Sequence, residues 1–153
     1  MFALVAAAAS DYASAQQASA LKDGERMVAR CLDFATANKY PPLSVAVIDA
    51  SGSLVLFKRQ DGASSASADA ALLKARTALR LNAPTSVLGT VAAADAPTRD
   101  AFIVMQMTTL PGGSPLQSTD GLAIGAVGVS GGEAEQDAEC ARMAAEPAPA
   151  KKK

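Results

Sequence analysis

Between Ala20 and Ala37 the apolar positions Leu21, Gly24, Val28, Cys31 and Ala35 recur in alternating steps of three and four, and Met27, Leu32 and Phe34 widen the stripe. That spacing predicts an amphipathic helix. Pro41 and Pro42 end it and force extended backbone into Leu43. Leu43 to Ile48 and Leu54 to Lys58 are β-rich runs around Asp49-Ala50-Ser51-Gly52, whose leading Asp and closing Gly suit a tight hairpin. A second helix is expected from about Ser67 to Leu81, with Ala68, Leu72, Ala75 and Leu79 on its buried stripe and Lys74 and Arg80 off it. Pro84 fits the start of a shorter helical segment reaching about Ala93, and Ala94 to Asp100 reads as a loop. Phe102 to Met107 is too brief for its period to choose between strand and short helix. Ser114 to Gln117 and Leu122 to Val129 flank Thr119-Asp120-Gly121, a second hairpin signal. The last helix is expected over Glu133 to Ala145, with Ala134, Ala138, Ala141 and Ala145 on one face, and Pro147 and Pro149 end it.

The order helix, hairpin, helix, hairpin, helix predicts an α/β fold of the α+β type, with an antiparallel sheet of about five strands flanked by helices. It disfavours a doubly wound parallel sheet. The 153 residues suit one domain, and no internal repeat is visible. We place that domain at residues 18–146, after an N-terminal extension at 1–17 and before a disordered tail at 147–153. Met1 to Ala9 is apolar and small residues precede Gln16, in the manner of a signal-peptide remnant without its basic start. A truncated signal peptide would make the protein periplasmic or secreted; otherwise it is cytoplasmic. No run approaches the length of a membrane span.

Composition narrows the chemistry. Aromatic residues are only 4%, so the core is built from small and aliphatic side chains, with few large stacking platforms. A net charge of −1 supplies no basic face for nucleic acid. Histidine is absent, which removes Ser-His-Asp and Cys-His catalysis, most zinc sites and the commonest haem ligand. Cys31 and Cys140 lie far apart in two helical patterns, so buried free thiols are expected, with a disulfide as the alternative.

Glycine density points to the candidate site. Gly112-Gly113-Ser114-Pro115 reads either as a nest of backbone N–H groups for a carboxylate or phosphate, or as a turn into the next strand. Gly125 to Gly132 runs from a strand into a helix, whose N-terminus attracts anions, and so brings Gly131 and Gly132 into the same candidate site. It has neither the βαβ context nor the acidic residue of a dinucleotide fingerprint, and no GK[ST] follows. Arg59 and Asp61 close the second strand and Lys74 lies in the next helix; they either line the site or form ion pairs pinning strand to helix. Asp49 shapes its hairpin by accepting backbone hydrogen bonds. Glu133, Glu135 and Asp137 favour the start of the last helix through its dipole, with a surface iron cluster as the alternative.

VAVIDASGSLVLFKRQDGA, KARTA at Lys74 to Ala78, PGGSP at Pro111 to Pro115, DGLAIGAVGVSGG and Gln136-Asp137 stand in an order and spacing that resemble the GlcG/HbpS family of haem-binding and haem-degrading-like proteins, which includes the PduO C-terminal domain. The resemblance spans roughly Leu21 to Ala145. It implies helices around an antiparallel sheet, assembly into homo-oligomers, and a small-molecule ligand, haem or a related planar, carboxylated metabolite. The residues expected to bind it are Arg59, Asp61, Lys74, Gly112, Gly113, Gly131 and Gly132, without a histidine for the iron. The alternative is an enzyme or accessory subunit of glycolate- or corrinoid-related metabolism, with Lys74 or Asp61 as acid–base group.

Overall fold

The computed structural model describes residues 21–146; the expected N-terminal extension and the 147–153 tail lie outside them. Helix α1 covers residues 21–37. Strands β1 (Ser44–Asp49) and β2 (Leu54–Arg59) form the first hairpin, and α2 (Ser65–Leu81) follows. A single 3₁₀ turn (Thr85–Val87) leads into α3 (Leu88–Ala94) and α4 (Ala96–Val104). Strands β3 (Gly113–Gln117) and β4 (Ala123–Ser130) and helix α5 (Ala134–Ala145) complete the described chain.

The described strands form one antiparallel sheet in the order β2-β1-β4-β3. Alternation along β1 and β4 divides the core. Leu43, Val45, Val47, Val127 and Val129 pack with α1 and α5. Ile48 and Ala126 meet Ala75 and Ala78 of α2 on the other face. Leu88, Ala92, Phe102 and Met107 close a small satellite core between α3 and α4.

Register explains how α2 lies so close to the sheet. Ala46 pairs with Gly128, and Gly128 with Gly113, so three tiny residues lie side by side across β1, β4 and β3. A methyl group on Gly128 would overlap the carbonyl oxygen of Ala71, and one on Gly113 that of Lys74. The helix backbone therefore rests on the sheet, and the glycines are what that approach requires. At its start, Ser64 caps α2 by accepting from Ser67 N, and Ser67 Oγ meets Ser44 Oγ at 2.8 Å.

Several expectations need correction. Among the described residues the sheet has four strands, because Phe102 to Val104 is helical. The expected loop from Ala94 to Asp100 contains the start of α4: the Asp95 carboxylate accepts from Thr98 N, and Pro97 occupies the first turn, where its missing N–H costs nothing. On α2 the buried positions are Ser67, Ala71, Lys74, Ala75, Thr77 and Ala78, so Lys74 is inside and Leu72 and Leu79 only flank the core. Small residues win that face because the glycine row leaves no depth for leucine. Likewise α5 buries Asp137, Cys140, Ala141 and Ala144 while Ala134 is exposed.

Cys31 and Cys140, expected as buried free thiols, instead form a disulfide, with Cα atoms 4.8 Å apart at a sequence separation of 109. Both are fully buried, and the bond clamps α1 to α5 beneath the sheet. Spacing alone could not reveal that the two apolar stripes face each other. Arg30 extends the clamp by donating to the carbonyl oxygens of Met143 and Glu146.

Candidate functional site

Lys74 leaves the buried face of α2 and passes beside the sheet edge to α5. Its Nζ donates to Asp137 Oδ2 at 2.7 Å, to the Val129 carbonyl at 2.9 Å and to Ser130 Oγ at 3.3 Å. Both side chains of this ion pair are only 4% exposed. The other carboxylate oxygen, Oδ1, accepts from Gly132 N at 2.9 Å. Burial pushes the Asp137 carboxyl above the usual carboxylate range, against the opposing pull of Lys74 and the Gly132 and Gly131 amides. A buried charge pair is tolerable only when its remaining donors and acceptors are met, as they are here. The arrangement ties α2, the end of β4 and the start of α5 at one point.

Glycines frame this point. A side chain on Gly112 would come within 2.5 Å of the Val129 oxygen and 3.1 Å of Lys74 Nζ. The Gly112 carbonyl instead accepts from Val129 N at 2.7 Å. The Gly113 amide donates to Thr85 Oγ1 at 2.8 Å. Glu133 starts α5 through a capping box with Gln136.

Directly outside lies a cleft of about 390 Å³. Pro84 and Ser86 wall one side, Gly113 and Ser114 of edge strand β3 form the floor, and α5 contributes Glu135, Ala138, Glu139 and Arg142. Tyr40 donates its hydroxyl to Glu139 Oε2 at 2.9 Å, and that hydrogen bond raises the phenol's pKa. Arg142 pairs with Glu146 at the exposed end of the helix. The cleft thus offers two apolar side chains, small hydroxyls, two carboxylates and one guanidinium that is itself paired with Glu146.

Among the described residues no three His, Cys, Asp or Glu side chains converge as metal ligands. Asp137 is held by Lys74, so the Glu133, Glu135 and Asp137 cluster is not assembled. Asp49 does shape its hairpin: Oδ1 accepts from Ser51 N at 2.8 Å and Ser53 N at 3.0 Å.

The residues expected at the site divide into three groups. Gly113 lines the cleft. Lys74, Gly112, Gly131 and Gly132 gather behind it around Asp137. Arg59 and Asp61 lie exposed at the end of β2, on the opposite edge of the sheet from β3, and neither makes an ion pair among the described residues. Sequence reasoning missed Thr85, Glu139 and Arg142, and it did not see Asp137 as a buried partner; Ser114 stood in the candidate nest. A signal existed for Asp137: it shares a helical stripe with Cys140, Ala141 and Ala144, and an acid on an apolar stripe demands a cation.

The family model described as haem-degrading protein HbpS-like matches residues 20–146. A double mutant of Streptomyces reticuli HbpS superposes with a TM-score of 0.73 at 32% identity, over 82% of this chain and 83% of that one. The Klebsiella pneumoniae protein ORFY also gives 0.73, at 29% identity over 82% and 86% of the two chains. PduOC, in its haem complex, gives 0.71 at 28% identity over 81% and 90%. A comparison with curated protein sequences gave no match.

Proposed function

The chain belongs to the HbpS-like family, and from that premise we propose that it is a small-ligand binding protein whose guest is haem or a related planar, carboxylated metabolite. The observation that carries this reading is the cleft over Gly113 and Ser114, which is concave and partly apolar and holds the Arg142 guanidinium beside the Glu135 and Glu139 carboxylates. PduOC, a relative of the same fold, forms a haem complex.

The residues present do not fit iron ligation by imidazole or thiolate. The chain has no histidine, both cysteines are in the disulfide, and the Lys74 ammonium is already shared among three acceptors. They fit a ligand gripped by its flat face against Pro84 and Ala138, with a carboxylate that displaces Glu146 from Arg142. The Lys74–Asp137 pair is the support behind the cleft, fixing α5 relative to α2 and the end of β4.

Assembly into homo-oligomers belongs to the same reading. Ile103, Val104, Met105 and Leu110, at the end of α4 and just beyond it, are 49–82% exposed, which favours cover by a second copy. The disulfide favours an oxidising compartment, and on that ground we place the protein in the periplasm or outside the cell.

Titration of the purified protein with haemin, followed at the Soret band, tests the binding claim. The expected result is a shifted band saturating at one haem per chain. An unshifted band at micromolar haemin removes haem as the guest.

A further inference from the structure

At the opposite end of the strands a second cleft, of about 460 Å³, opens between the β1–β2 turn and the last turns of α2. Arg76 and Arg80 form one wall, Leu79 lies between them in sequence, and the Ala50–Gly52 turn stands opposite. No carboxylate lines it. The nearest acid in sequence, Asp49, is bound into its own turn by Ser51 and Ser53.

The two arginines are one helical turn apart, so their side chains share a face of α2. Like charges at that spacing destabilise a helix by a few tenths of a kcal/mol unless a counter-charge joins them. Among the described residues neither forms an ion pair. Arg80 Nη1 donates to the Met105 carbonyl at 2.9 Å, which fixes its guanidinium and leaves its other N–H groups for a guest. Arg76 is exposed and, among the described residues, has no such tie to the fold.

We propose that this second cleft is a binding site for a small oxyanion of charge near two, such as a dicarboxylate or a phosphate group, held between the Arg76 and Arg80 guanidinium groups. Planar guanidinium forks match the paired oxygens of either anion. The site is separate from the Gly113 cleft, and its ligand need not be the one bound there.

Calorimetric titration of the full chain with succinate, and separately with inorganic phosphate, against chloride of matched ionic strength, tests the proposal. Saturable binding of either anion is expected, and the arm that binds identifies the carboxylate or the phosphate chemistry. Arg76→Gln is expected to weaken binding about tenfold or more, as loss of a charge-assisted contact does, with an unchanged circular dichroism spectrum. Arg80→Gln is expected to weaken it similarly, and Ala138→Trp in the other cleft to leave it alone. No saturable heat with either anion, or binding that persists in an Arg76→Gln/Arg80→Gln double variant, overturns the proposal.

Discussion

Lys74 and Asp137, 63 residues apart in sequence, meet at 2.7 Å in the interior, and through them the helix over one face of the sheet is tied to the helix over the other. Removing one partner strands the other charge in the interior. Asp137→Asn is expected to cost about 3–5 kcal/mol, the range for a broken buried pair. Lys74→Met/Asp137→Leu is expected to be markedly more stable than Asp137→Asn, because no orphan charge remains. A denaturant-unfolding cycle measures both; a double variant less stable than the single contradicts the account.

The Cys31–Cys140 bond closes a loop of 109 residues, so reduction should release a large unfolded-state constraint. A loss of about 2–4 kcal/mol is expected for Cys31→Ala/Cys140→Ala. Thermal melts with and without reductant provide the check. Because both sulfurs are buried, reductant should act only under conditions that open the fold, and free thiols in the native protein would contradict the assignment.

Gly128→Ala drives a methyl group into the Ala71 carbonyl, a backbone atom that cannot rotate away. The helix must lift off the sheet. A loss of about 1–3 kcal/mol or more is expected from overpacking of this kind, read as a fall in the melting midpoint. Unchanged stability would mean that α2 does not rest where described.

Asp49 is held below the usual carboxylate range, chiefly by the Ser51 hydroxyl and then by the turn amides. A folded value below the unfolded one gives stability that is present above the unfolded value and lost as pH falls through the depressed one. Asp49→Asn should therefore lose stability near neutral pH and show a shallower acid limb. Parallel acid-unfolding curves for the two proteins would show that the turn does not hold the charge.

The elements with strong periodicity or paired turn signals were legible: both hairpins, α1, α2 and α5 stand where the helical patterns and the turns at Asp49 to Gly52 and Thr119 to Gly121 put them, although the buried faces of α2 and α5 differ from the stripes expected. What was lost depended on partners distant in sequence. Lys74 looks like a surface lysine until the glycines at 113 and 128 bring α2 down onto the sheet and Asp137 comes opposite. The α4 start was visible in Asp95 and Pro97, a cap and a first-turn proline, but was outweighed by the loop-like composition around them. The glycines did mark backbone that something approaches closely; at 113 and 128 the approaching body is the protein's own helix. For the cleft, only the Gly113-Ser114 stretch was readable, because Pro84, Ala138 and Arg142 join it solely through the packing of α5 on the edge of β3.

The most direct test of ligand binding at the Gly113 cleft is a side-by-side haemin titration of the wild type and Ala138→Trp, read at the Soret band with circular dichroism as the control for folding. The account predicts a saturable shift in the wild type that Ala138→Trp abolishes while its fold is unchanged. An equal shift in both proteins would place the haem elsewhere and contradict the assignment of this cleft.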